Sequence, residues 1–209
     1  MTRIKICGIT RSDQGIAVAG MGVEYLGFIF YPPSPRYIEP EKACEIIRAI
    51  REAMGKAAPK MIGVFVDETA EHMEHVREIA GLDGVQLSGD ESPEIGEQLQ
   101  PLRFRGLSLE TLDRLRTHPA DAWLCDTHAP EEKGGTGRAY DYLRLLPHVK
   151  TQPVIVAGGL TPVSVGDVVR QLRPWGVDVS SAVELSPGRK DLEAVQAFVE
   201  AVRRADARS

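Results

Sequence analysis

The stretch YLGFIFYPPSPRYIEPEKACEIIRAIREAMGKAAPKMIGVFV, residues 25–66, holds one complete unit of the architecture. "YLGFIF" (25–30) is apolar at successive rather than alternating positions, the pattern of a strand buried on both faces in a parallel sheet covered by helices. After a proline-rich loop, "PEKACEIIRAIREAM" (40–54) places Ala43, Ile46, Ile47 and Ile50 on one face of a helix. "MIGVFV" (61–66) then repeats the strand pattern, so the stretch reads as strand, helix, strand.

The same alternation runs along the chain. Strand-length runs stand at "IKIC" (4–7), "GVQL" (84–87), "LRFRGL" (102–107), "AWLCD" (122–126), "PVIVA" (153–157) and "VDVSS" (177–181), making eight with the two above. Helical spacing recurs in 69–80, through Met73, Val76 and Ile79, and in 191–205, through Leu192, Val195, Phe198, Val199 and Val202. Eight units in 209 residues leave about 26 residues each, enough for a short (β/α)8 TIM barrel. The expected class is therefore α/β, a single barrel domain spanning 1–209, with an open doubly wound sheet as the alternative. "GKAAP" (55–59) reads as a loop, and no segment reads as a linker.

Composition narrows the function. With 43% hydrophobic and 26% charged residues the chain has ample core material. A formal charge of −5 argues against a nucleic-acid binder, yet leaves room for an anionic small molecule held by local charge and backbone N–H groups. Arg3 and Lys5 interrupt any signal-peptide core, and no apolar run approaches the ~18 residues of a membrane span, so a soluble cytoplasmic protein is expected. Cys7, Cys44 and Cys125 are odd in number and widely spaced, which suggests free thiols rather than disulfides or a metal knuckle.

In a barrel, chemistry gathers at the carboxyl ends of the strands. Cys7 ends the first strand, where it is either a buried small residue or a working thiol. Asp126 ends the sixth, as a loop cap or as a proton donor facing the mouth. Phosphate is often held after strands seven and eight, where "VAGGLTP" (156–162) offers Gly158 and Gly159, and "VSSAVELSPGRKD" (179–191) offers Ser180, Ser181 and Ala182. Alternatively the two glycines form a plain turn, with Thr161 capping a helix that begins at Pro162. Three prolines in "YPPSPRYI" (31–38) stiffen a loop that presents Arg36, either to solvent or to a carboxylate it could hold bidentately. The cluster "EEKGGTGRAYDY" (131–142) lacks the lysine and hydroxyl of a phosphate-binding P-loop.

Taken in order, "KICGIT", "LGFIFYPPSPRYI", "GVFVD", "GVQLSGDE", "GGTG", "AGGL", "VDVSSAVE" and "SPGRKD" closely resemble the phosphoribosylanthranilate isomerase family of tryptophan biosynthesis. The resemblance implies a (β/α)8 barrel that converts N-(5-phosphoribosyl)anthranilate into 1-(2-carboxyphenylamino)-1-deoxyribulose 5-phosphate by an Amadori rearrangement. It implies no cofactor and no metal, a phosphorylated small-molecule substrate, and a monomer or homodimer without nucleic-acid or membrane partners. It assigns the general base to Cys7, the general acid to Asp126 and the contact to the anthranilate carboxylate to Arg36. The carboxylic acid serves if its environment keeps it protonated, and a thiolate serves if the cation it faces and its surroundings favour ionisation. The chain departs from the family with Ser88 where histidine is common, Ala182 in place of a glycine, and "YDY" (140–142) for a more usual "FDW". Another phosphosugar isomerase on this fold, such as that of histidine biosynthesis, would ordinarily pair two aspartates, and Cys7 disfavours it. A silent phosphate-binding barrel would have lost Cys7 or Asp126.

Overall fold

A computed structural model describes residues 1–100, 102–126 and 142–207. Eight parallel strands close into a barrel in chain order: β1 (Arg3–Cys7), β2 (Tyr25–Ile29), β3 (Lys60–Phe65), β4 (Gly84–Leu87), β5 (Arg103–Ser108), β6 (Ala122–Asp126), β7 (Val154–Ala157) and β8 (Gly176–Val179). Closure comes from β1 pairing with β8, with Lys5 opposite Asp178. The open doubly wound sheet is thereby excluded.

Side-chain alternation divides the barrel into two packed regions. Ile4, Ile6, Leu26, Phe28, Val85, Leu87, Trp123, Cys125, Val154, Val156, Val177 and Val179 face outward into one core with the helices. Tyr25, Ile62, Phe104, Ala122, Leu124, Ile155 and Ala157 fill the interior. Both faces are covered, which is why the strands read as continuous apolar runs. At the floor, Tyr25 stacks on Trp175 at 5.9 Å and meets Phe104 edge-on at 5.1 Å. The floor of the interior is therefore aromatic, with the Arg3 guanidinium over the Trp175 ring at 4.2 Å.

The helical layer comprises α1 (Ser12–Gly20), α2 (Pro40–Met54), α3 (Ala70–Ala80), α4 (Pro93–Gln98), α5 (Leu146–Val149), α6 (Val165–Leu172) and α7 (Leu192–Asp206). α3 and α7 begin one residue later than the apolar pattern suggests. Thr69 and Asp191 are their N-caps, Thr69 accepting from the His72 N–H and Asp191 from those of Glu193 and Ala194. The unit after β5 is abbreviated to a 3-10 helix at Leu112–Arg116. β8 is shorter than "VDVSS", since Ser180 and Ser181 lie beyond its end and a 3-10 turn occupies Ser181–Val183. A hairpin of β9 (Glu184–Ser186) and β10 (Arg189–Lys190) follows before α7. No described helix is long and apolar enough to cross a membrane.

Candidate active site

Parallel strands put all eight carboxyl ends on one face, and every site residue expected from the sequence arrives there. Cys7 and Asp126 are the last residues of β1 and β6, Arg36 lies in the loop between β2 and α2, Gly158 and Gly159 follow β7, and Ser180, Ser181 and Ala182 follow β8. β6 and β1 are separated around the barrel by β7 and β8. Asp126 shares its strand face with Leu124, which fills the interior, so its carboxylate is directed at the mouth, where it is exposed. It lines a cleft of about 520 Å³ together with Gln86, Ser88, Ser108, Arg114 and Asp178.

Cys7 is 7% exposed and shares the inward face with Lys5. Lys5 is 1% exposed and its ammonium lies 2.8 Å from the Asp178 carboxylate. Burial works against the charge on Lys5, but Asp178 and the neighbouring thiol outweigh it and hold the ammonium above its ordinary range. Burial pushes the Cys7 thiol up. Lys5 pulls it back, Asp178 pushes it further up and Lys190 pulls it down, and the balance remains upward. At rest the surroundings thus favour the thiol over the thiolate. The reason is the burial of the sulfur itself, which Lys5 and Lys190 do not fully offset.

Gly27, paired with Cys7 in the register of β1 and β2, makes room for this sulfur. A Cβ at position 27 would lie 2.7 Å from Cys7 Sγ and 3.2 Å from Lys5 Nζ. Gly8, at φ +83°, turns the chain out of β1, and a Cβ there would stand 2.7 Å from Arg36 Cδ. Glycine at 8 is therefore required twice, by the left-handed backbone and by the arginine stem that crosses it.

Arg36 does not point into solvent. Its Nε and Nη2 donate to the Glu184 carboxylate at 2.7–3.0 Å, and the Glu184 side chain is 3% exposed. Burial works against the Glu184 charge, yet the hydrogen bonds from Arg36 and Lys190 hold its carboxyl below the usual range. Lys190, fully buried in β10, places Nζ 2.7 Å from Glu184 and also donates to the Cys7 carbonyl.

On the anion side, Gly158 and Gly159 have φ of +80° and +66°. Two successive left-handed residues bring backbone N–H groups round a concave turn that side chains would strain. Thr161 caps a turn rather than a helix: it exchanges hydrogen bonds with Ser164, and α6 starts at Val165, later than the Pro162 start considered from the sequence. Ser180 Oγ donates to the Cys7 carbonyl at 3.1 Å, tying this loop to β1. The cluster 131–142 lies outside the described residues except for Tyr142, whose hydroxyl donates to the Gly158 carbonyl at 2.9 Å.

Sequence reasoning missed Lys5, Asp178, Glu184, Lys190 and Gln86. Lys5 and Asp178 carried a signal, as charges on the inward phase of otherwise apolar strands. Gln86 does so too: it is 5% exposed on β4, donates to Ser88 Oγ at 2.9 Å, and its Oε1, at the cleft wall, has no partner among the described residues. Ser88, in place of the histidine expected there, thereby orients Gln86. Glu184 and Lys190 had no such signal, because a hairpin bend brings them together.

The family model for N-(5'-phosphoribosyl)anthranilate (PRA) isomerase matches residues 4–201. The N-(5'-phosphoribosyl)anthranilate isomerase of Acaryochloris marina is 39% identical, covering 96% of this chain and 97% of its own. The crystal structure of phosphoribosyl anthranilate isomerase from Thermotoga maritima superposes with a TM-score of 0.87 at 33% identity, covering 98% of this chain and 100% of that one. A further isomerase structure, in complex with reduced 1-(o-carboxyphenylamino)-1-deoxyribulose 5-phosphate, gives 0.81 at 30% identity, with 98% and 100% covered. With the match spanning the barrel and its mouth, the chain belongs to the N-(5'-phosphoribosyl)anthranilate isomerase family.

Proposed function

We propose that the barrel mouth isomerises N-(5-phosphoribosyl)anthranilate to 1-(2-carboxyphenylamino)-1-deoxyribulose 5-phosphate, with Cys7 as general base and Asp126 as general acid. The observation that carries this reading is the convergence of a thiol, a carboxylate, an arginine and two anion-suited loops on one face of a barrel of this family. Gly158, Gly159 and the 180–182 turn take the phosphate. Arg36 takes the anthranilate carboxylate. The sugar then lies between Cys7 and the cleft wall bearing Asp126.

Asp126 gives its proton to the ring oxygen as the C1'–O bond breaks, and the nitrogen lone pair forms the C=N bond of a cationic Schiff base. The C2' proton then passes to the Cys7 thiolate, and the C–H electron pair neutralises the nitrogen cation to leave an enolamine. Tautomerisation gives the ketone. The cationic Schiff base also adds a third positive charge to those of Lys5 and Lys190, which favours thiolate where the resting site does not. The test is the loss of phosphoribosylanthranilate fluorescence on adding the purified protein. Turnover with a rate proportional to protein supports the reading, and a folded protein that leaves the substrate unchanged refutes it.

A further inference from the structure

We propose that Lys190 is a positioning residue whose buried charge neutralises Glu184, so that Glu184 can hold Arg36 without cancelling its attraction for the substrate carboxylate. The inference rests on the functional reading above and concerns the same site.

An arginine that is merely held by a buried glutamate forms a neutral pair, and a neutral pair draws no anion. Here the holding carboxylate is shared. Glu184 accepts from Arg36 Nε and Nη2, from the Gly188 N–H at 3.3 Å and from Lys190 Nζ at 2.7 Å. Two cations on one anion leave the cluster with one positive charge in excess. Lys190 cannot deliver that charge itself, because its side chain is 0% exposed and its ammonium is spent on Glu184 and on the carbonyls of Cys7 and Ser180. Arg36 can, being 19% exposed with Nη1 free of protein hydrogen bonds among the described residues. The division of labour follows: Glu184 orients the fork, Lys190 keeps its field positive, and Arg36 makes the contact. The Gly8 backbone beneath the arginine stem completes the cradle.

The test compares two ligands by calorimetry, reduced 1-(o-carboxyphenylamino)-1-deoxyribulose 5-phosphate and the same compound without its carboxyl group. The parent should prefer the carboxylated ligand by about tenfold or more, the scale of one hydrogen bond between charged groups. Lys190→Met leaves Glu184 bonded to Arg36 and Gly188, and leaves the Cys7 carbonyl its bond from Ser180, so the mouth retains its partners. In that variant the preference should collapse, as in Arg36→Met, while affinity for the carboxyl-free ligand holds. Glu184→Gln combined with Lys190→Met removes one charge of each sign, and the preference should return in part. A purely structural role for Lys190 would weaken both ligands alike. That result, or a Lys190→Met protein with the parent's preference, overturns the inference while leaving the functional reading standing. A parent that binds neither ligand overturns both.

Discussion

Lys5→Met tests whether the cation beside Cys7 sets the ionisation of the base. The substitution removes an ammonium that is 1% exposed and paired with Asp178 at 2.8 Å, and it leaves that carboxylate facing the thiol. Lys5 lies within hydrogen-bond reach of the thiol, and at an effective dielectric of about 20 two unit charges roughly 4 Å apart interact by about 4 kcal/mol before any relaxation. Solvent reaching Asp178 at the mouth screens part of this, and what remains is still enough to change the thiolate fraction by about tenfold or more. The direction is fixed: the Cys7 thiol, already raised, moves further up. On the proposed mechanism the thiolate is the active form, so the acid limb of kcat/KM against pH should shift to higher pH, with activity at neutral pH lower by about tenfold or more. Lys5→Met combined with Asp178→Asn removes both charges and should bring the limb part of the way back. Steady-state fluorescence assays carried far enough into the alkaline range to capture the parent's acid limb give the profile, with circular dichroism at each pH to verify the fold. An acid limb that stays in place in Lys5→Met, whatever the absolute rate, refutes the reasoning.

Gly27→Ala places a methyl 2.7 Å from Cys7 Sγ, and an overpacked contact of this kind costs about 1–3 kcal/mol. The sulfur is the softer side of the contact, so kcat should fall about tenfold or more with little change in KM; parent-like kcat in the folded variant would show that the sulfur position is not critical. Cys125 faces the outer core at 0% exposure, with burial and then Asp126 pushing its thiol up to about 12, whereas Cys44 is partly exposed. At pH 8 a disulfide reagent should therefore label one thiol quickly, lost in Cys44→Ser, and reach Cys125 only on unfolding; rapid labelling of Cys125 in the native protein would contradict its placement.

The barrel was legible because its strands are buried on both faces and its long helices carry clear apolar stripes, as 40–54 shows. The boundaries of α3 and α7 shifted by one residue because Thr69 and Asp191 cap the helices rather than join them, and β8 ended early because a 3-10 turn takes over at Ser181. The positions of Cys7, Asp126 and Arg36 followed from strand ends and a proline-stiffened loop. Their electrostatic setting did not, since it depends on which charges meet across the mouth. Lys5 meets Asp178 through closure of the first strand on the last, 173 residues apart. Arg36 meets Glu184 across 148 residues through a hairpin that no periodicity announces. The charge balance at the resting thiol was out of reach for the same reason, since the loss of solvent around Cys7 belongs to the packed barrel.

The central claim is that Cys7 takes the C2' proton, and Cys7→Ala measures it most directly. The variant loses one sulfur from a strand end, so folding and affinity for reduced 1-(o-carboxyphenylamino)-1-deoxyribulose 5-phosphate should remain close to the parent's. Its kcat for phosphoribosylanthranilate should fall by at least the ~10²–10⁴-fold expected for a lost acid–base group. A folded Cys7→Ala protein that binds this ligand and turns over substrate at near-parent kcat would contradict the account.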